Sequence, residues 1–255
     1  MNTKTEGQSP ELTLNGAIAT ITLRRPDQAN RLGPDDLAAI ADHIAAVNQR
    51  PEVLVLKLCG TGKYFCSGYN ITQIGTSTRS VNFEEVVTAV EQARPITIAV
   101  LHGGVYGGAT DLALACDFRV GVRGIQMFMP AARLGLHYYQ SGLERYVSRI
   151  GLDNTKRLFL TAEKIDAEQM KAIGYLTQLI EADQLHTEVT RIADACAAMA
   201  PIALLGMKKH LNAIARGSLD PNALHADITR ALQSDDLKEG QAAWVEKRTP
   251  RFIGS

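Results

Sequence analysis

Apolar residues recur along this chain in two alternating rhythms. AIATITL at 17–23, VLVLKL at 53–58, ITIAVL at 96–101 and FRVGV at 118–122 have the short length and β-branched content of buried strands. Between them the spacing lengthens to that of helices. Pro34, Asp35 and Asp36 open LAAIADHIAAV, with a proline where the first helical turn tolerates one and acids at the positive end of the helix dipole. FEEVVTAVEQA at 83–93 has the same helical spacing. Strands and helices therefore alternate through the front of the chain, the order of an α/β fold.

Beyond about residue 141 the strand-like runs stop. GLERYVSRIG, LDNTKRLFLTA, DAEQMKAIG, the run 182–199 and PIALLGMKKHLNAIA at 201–215 all carry helical spacing, so the last third is predicted to be mostly helix. No Pro/Ser/Gly-rich linker, low-complexity stretch or fixed-period repeat separates the parts. The organisation expected is a loose polar tail over 1–9 and a single domain over 10–255, with its core over about 10–195 and a helical C-terminal region over about 196–255.

Composition narrows the classes of partner. Lys and Arg number 27 and Asp and Glu number 27, which gives no basic face for nucleic acid and no cationic membrane-binding surface. The start, MNTKTEGQSPE, has no apolar stretch, and no later segment reaches the roughly 18 uninterrupted apolar residues of a membrane span. Cys59, Cys66, Cys116 and Cys196 lack the dense spacing of a disulfide framework, so reduced thiols in a cytoplasmic setting are expected. The six histidines form no short-range pair with Cys or carboxylate at ligand spacing, and no metal is expected.

Three motifs fail on inspection. CGTGKYF at 59–65 has Lys57 where a phosphate loop needs its first glycine, and Tyr64 where it needs a Ser or Thr. GGVYGG at 103–108 does not keep the glycine spacing of a dinucleotide turn. Ser141 in YQSGL has Tyr139 in place of the first glycine of a nucleophile elbow, and a helix-capping serine is the better reading.

Two glycine-bearing segments remain: FCSGYNI at 65–71, after the second strand, and HGGVYGGATDLALACD at 102–117, after the third. Gly108 immediately precedes ATDLALAC, so its N–H is predicted to point from a helix start toward a ligand, and glycine permits the close approach. The first segment resembles the F-x-x-G-x-D-[IL] stretch of the crotonase (enoyl-CoA hydratase/isomerase) superfamily. The second resembles its glycine-rich turn into a helix ending Cys-Asp, here Cys116-Asp117, and EGQAAWVEKRTPRF at 239–252 resembles its closing segment. The three blocks stand in the family's order and span nearly the whole chain.

The resemblance implies a crotonase-like spiral of repeated ββα units, followed by helices that assemble homotrimers, often paired into hexamers. It implies an acyl-CoA thioester as substrate, coenzyme A arriving as part of it and no other cofactor. By the same resemblance the N–H of Tyr69 joins that of Gly108 in an oxyanion hole, a pair of donors able to stabilise a thioester enolate by several kcal/mol. CoA is expected along PDQAN at 26–30, through Gln28 and Ala29, and along Ser67, Gly68, Asn70 and Ile71. Trp244 and Lys247 match the family's aromatic and lysine near the nucleotide end, beside the plainer reading of an amphipathic C-terminal helix.

The family's hydratases handle water with two glutamates, and at those places this chain has Asp111 and Ala131. Asp111 is expected to act as acid or base, helped by His137 or Tyr138 from the stretch LGLHYYQSGLERY at 134–146. Tyr138 corresponds to a tyrosine of the related methylmalonyl-CoA decarboxylases, which carry a histidine where Tyr69 stands. Hydration, decarboxylation and isomerisation all pass through a thioester enolate and remain open as reactions of a lyase or isomerase. The competing expectation is a non-catalytic acyl-CoA-binding oligomer that lost the glutamate pair.

Overall fold

Two sheets share one core in the structure, a computed structural model that describes residues 7–73 and 81–255. The chain opens with an antiparallel hairpin of β1 (Gln8–Asn15) and β2 (Ile18–Arg24), followed by α1 (Pro34–Asn48). Three similar units succeed one another. They are β3 (Val55–Gly60), β4 (Tyr64–Cys66) and α2 (Phe83–Gln92); β5 (Ile96–Leu101), β6 (Gly104–Tyr106) and α3 (Gly108–Leu114); and β7 (Phe118–Val122), β8 (Gln126–Phe128) and α4 (Gln140–Ile150). After α5 (Leu152–Thr161) come β9 (Ile165–Asp166), α6 (Ala167–Ala172) and β10 (Gln178–Ile180). Four helices close the described chain: α7 (Leu185–Ala197), α8 (Pro201–Ala215), α9 (Pro221–Leu232) and α10 (Asp235–Glu246).

Each unit gives its first strand to one sheet and its second to the other. The six-stranded sheet runs β1-β2-β3-β5-β7-β10, and the four-stranded sheet runs β4-β6-β8-β9. The repeated ββα path is thus a spiral, each turn laying a strand beside its predecessor: Val55 pairs with Ile96, and Ile98 with Phe118.

Three of the apolar strands read from sequence, β3, β5 and β7, are largely buried on both faces, as parallel strands covered by helices must be. Leu56, Leu58, Ala99 and Leu101 point into the main core, while Val55, Ile98 and Val120 pack against Val189 and Ile192 of α7. Each Val, Leu or Ile among them contributes about 1.5–3 kcal/mol on burial. Asp117, at the end of the α3 region, ties three pieces together. Its Oδ2 accepts from the Thr97 N–H at 2.7 Å and the Thr97 hydroxyl at 3.0 Å, and pairs with Lys208 of α8 at 2.8 Å.

The expected tail over 1–9 is shortened, because β1 begins at Gln8; residues 1–6 lie outside the described residues. Only Pro10 of β1 is buried, and a bulge between Gln8 and Glu11 suits an edge strand. Ser141 does not cap α4, whose N-cap is Tyr139; the serine lies within the first turn and its hydroxyl bonds Glu84. None of the four cysteines is in a disulfide, and burial pushes the Cys66 and Cys116 thiols up to about 12. Among the described residues no single helix is long and apolar enough to cross a membrane, and no group of three or more His, Cys, Asp or Glu is arranged to hold a metal.

Candidate active site

β4 and β6 are parallel neighbours, so the segments that leave their C-terminal ends emerge side by side. After β6 the backbone turns sharply into α3 through Gly107, whose φ of 57° and ψ of −133° suit glycine alone. After β4 the turn passes through Gly68 at φ +92°, where a Cβ would lie 2.8 Å from the Tyr106 carbonyl oxygen and 2.9 Å from the Gly108 nitrogen. The two glycine segments of the sequence therefore touch, backbone to backbone.

Tyr69 is held by a parallel bridge to Leu32. The Leu32 N–H donates to the Gly68 carbonyl at 2.9 Å, and the Asn70 N–H donates to the Leu32 carbonyl at 2.9 Å. The bridge uses the Gly68 carbonyl and the Asn70 N–H and leaves the Tyr69 N–H unused. Among the described residues, neither the Tyr69 N–H nor the Gly108 N–H donates to any acceptor.

Both residues line a cavity of about 540 Å³. One wall is apolar, from Met129, Pro130, Ala131, Leu134 and Leu136. Phe83, at the start of α2, closes another side and its ring occupies the space a Gly108 side chain would need. Opposite stand His137, Tyr138 and Tyr139, with the two tyrosine rings stacked at 4.3 Å between centroids. A hollow of about 960 Å³ between α2, α4 and α8 is larger but is not lined by either free amide.

Asp111, expected to act as acid or base with help from His137 or Tyr138, does not itself line the cavity. It is fully buried one turn inside α3, behind the tyrosines. Its Oδ1 accepts from Arg145 Nη1 at 2.7 Å, and its Oδ2 accepts from the Tyr139 hydroxyl at 2.5 Å and the Tyr138 hydroxyl at 3.3 Å. Arg145 in turn donates to both oxygens of Glu91, and Arg216 at the end of α8 reaches the same carboxylate. Burial alone would raise the Glu91 carboxyl, but Arg145 and Arg216 outweigh it and hold the group below its ordinary range. Burial pushes the Tyr139 phenol far up, and the Asp111 charge pushes it further. Tyr138 is raised for the same reasons. Both phenols thus face the cavity as neutral hydroxyls.

Of the other expected site residues, Ser67 and Ile71 line the cavity, and Gln28 and Ala29 lie on the loop beside it. Buried Asn30 pins that loop: its amide donates to the carbonyls of Thr61, Tyr64 and Phe65, and its oxygen accepts from the Arg25 N–H at 2.9 Å. The Ser67 N–H donates to the Ala29 carbonyl at 2.9 Å, which brings the two expected CoA-binding segments together. The Asn70 side chain is engaged locally with Thr72. His137 is exposed, with Nδ1 2.8 Å from the Tyr138 carbonyl. Trp244 is 86% exposed, and neither it nor Lys247 lines the cavity.

One cavity carboxylate escaped the sequence reading. Glu84 lines the pocket from the first turn of α2, and the Ser141 hydroxyl donates to its Oε1 at 2.7 Å. Its signal in the sequence was only that of an acid at a helix start.

Comparison with known proteins agrees across nearly the whole length. The profile of the family Enoyl-CoA hydratase/isomerase matches residues 13–255. A peroxisomal Delta(3,5)-Delta(2,4)-dienoyl-CoA isomerase of Arabidopsis thaliana is 28% identical, with 93% of each chain covered. A crotonyl-CoA hydratase of Syntrophomonas wolfei is 29% identical over 92% of this chain and 94% of its own. The crystal structure of an enoyl-CoA hydratase from Bacillus anthracis superposes with a TM-score of 0.86 at 27% identity, covering 97% of this chain and all of the other. The spiral core with C-terminal helices is therefore the crotonase fold.

Proposed function

The chain belongs to the enoyl-CoA hydratase/isomerase family, and from that membership we propose that it processes acyl-CoA thioesters by holding the carbonyl oxygen between the N–H groups of Tyr69 and Gly108. The observation that carries this reading is the pair of unengaged amides set side by side at one cavity. When a bond next to a thioester carbonyl breaks, negative charge collects on the oxygen. Two preorganised donors in a water-poor site stabilise that charge by several kcal/mol without reorganising. CoA lies along Gln28, Ala29, Ser67, Gly68, Asn70 and Ile71, with the acyl group against Met129, Ala131 and Leu136; it is part of the substrate, and no cofactor is invoked.

The proton chemistry favoured is transfer at the acyl carbons rather than water addition. Ala131, in the wall where the hydratases carry a glutamate, offers no carboxylate. Asp111 acts through Tyr139 and Tyr138, whose hydroxyls stand between it and the acyl group. Replacing Gly108 by Pro removes one donor and should abolish turnover of every thioester tested. Unchanged turnover would sink the oxyanion reading. Slow hydration of crotonyl-CoA is the companion expectation, and a rate typical of a two-glutamate enzyme contradicts it.

The lack of a carboxylate at Ala131, where the hydratases carry one, also favours a second reading, an acyl-CoA-binding protein without turnover. It forecasts tight acyl-CoA binding with no exchange of acyl protons in deuterated water. For either reading a trimer or hexamer is proposed, since Leu211, Leu232, Trp244 and Val245 expose 64%, 65%, 86% and 79% of their surface on the C-terminal helices. A monomer in sedimentation equilibrium contradicts it.

A further inference from the structure

Glu84 is the cavity carboxylate that the family's glutamate positions do not account for. The first turn of α2 is closed by a different acid: the Glu85 N–H donates to Asn82 Oδ1 at 2.9 Å, and the Asn82 N–H donates to Glu85 Oε2 at 3.0 Å. Glu84 is therefore not needed to cap its helix. It turns into the cavity beside Phe83, whose ring lies over Gly108.

Its surroundings orient it without neutralising it. Ser141 on α4 donates to Oε1 at 2.7 Å. The Ser141 carbonyl accepts from Arg216 at 2.7 Å, so the end of α8 steadies the serine that steadies the carboxylate. Among the described residues no Lys, Arg or His pairs with Glu84, and its Oε2 has no partner. Asp111 differs on each count: it is sealed from the cavity and committed to Arg145 and two phenols.

We propose that Glu84 is the cavity's own acid–base carboxylate, beside the Asp111 relay through the phenols, taking a proton from the acyl carbon next to the thioester carbonyl and returning it. The C–H bond breaks and the proton passes to Oε2. The C–H electron pair becomes a carbon–carbon double bond, and the carbonyl π pair moves onto the oxygen. Return of the proton to the same carbon, or to the far end of a conjugated acyl chain, completes an exchange or an isomerisation with no other reactant. The substrate class is an acyl thioester with a hydrogen on that carbon and an apolar chain to lie against Met129 and Leu136. This inference rests on the reading that the Tyr69 and Gly108 amides hold the enolate.

The test follows deuterium uptake at the α-carbon of butyryl-CoA in deuterated water by NMR, together with butyryl-CoA affinity by calorimetry. Glu84→Gln, nearly isosteric and still able to accept from Ser141, should lose exchange by about 100-fold or more. Its affinity and melting temperature should stay near wild type, and Glu84→Asp should exchange at an intermediate rate. Exchange by Glu84→Gln within about threefold of wild type overturns the assignment while leaving the amide reading intact, provided Gly108→Pro is inactive. Loss of affinity in step with exchange also overturns it, since Glu84 would then be a binding residue. A wild-type protein that binds butyryl-CoA without exchange overturns both readings.

Discussion

Arg145 and Asp111 form an ion pair sealed from solvent: Nη1 donates to Oδ1 across 2.7 Å, and neither side chain has any exposure. Burying two charges costs several kcal/mol each, which is recovered only when every donor and acceptor finds a partner. Arg145 meets this by spanning Asp111 on α3 and Glu91 on α2, which fixes the helix behind the tyrosine wall to the helix that carries Glu84.

Replacing Arg145 by Met should therefore destabilise the fold by about 3–5 kcal/mol, because buried Asp111 loses its counter-charge and Glu91 is left with Arg216 to hold it. Adding Asp111→Leu should restore part of the loss, since the orphaned charge is then removed. Urea unfolding of the two variants checks this. A loss below about 1 kcal/mol for the single variant would show that the carboxylates simply take up protons or water.

Tyr139 tests the proposed route from Asp111 to the acyl group. Its hydroxyl donates to Oδ2 at 2.5 Å, whereas that of Tyr138 does so at 3.3 Å. Tyr139→Phe should cut turnover by roughly 10–100-fold, and Tyr138→Phe by less, each with about 1 kcal/mol of stability. Steady-state kinetics beside thermal melts separate the two effects. Equal and small losses in both variants would remove the phenols from the proton path.

Much of this architecture was legible in the amino-acid sequence because the inner strands of the large sheet are covered on both faces, so ITIAVL and VLVLKL read as unbroken apolar runs. The three residues each of β4, β6 and β8 are too short to show a period, although they aim both free amides. β1 escaped because an edge strand with one buried residue has almost no apolar pattern. The same limit applies to the site. Glycines at 68 and 108 are visible as motifs, but whether an acid faces the cavity or an arginine depends on packing between distant helices. Asp111 and Glu84 differ in exposure to the cavity for that reason: the acid in the motif is locked to Arg145 on α4, and the acid outside it lines the cavity.

The alkaline limb of stability follows from the same tyrosines. Burial raises Tyr138, Tyr139, Tyr146 and Tyr175, and the Asp111 charge adds to the shift at each. An unfolded tyrosine titrates near pH 10. Above that pH the unfolded chain binds fewer protons than the folded one, so stability is intact below about pH 10 and falls as pH rises further. Phenolate absorbance should therefore appear for these four together with unfolding. Their smooth titration in a protein that stays folded would contradict the burial.

Gly68 links backbone strain to function most directly. Alanine there incurs the left-handed penalty of about 1–2 kcal/mol at φ +92°. Its methyl group also meets the Tyr106 oxygen at 2.8 Å and the Gly108 nitrogen at 2.9 Å, both backbone atoms that cannot rotate away. The contact must push the two segments apart, and the Tyr69 and Gly108 amides move with them. Gly124, at φ +83° with nothing within 4 Å, supplies the control, since alanine there carries the strain without the contact. Both variants should lose comparable stability from the dihedral alone, with Gly68→Ala losing more. Only Gly68→Ala should lose kcat/KM, by at least tenfold given what one misplaced donor costs. Similar activity in the two variants would mean that the amides tolerate displacement, and that their spacing does not limit the reaction.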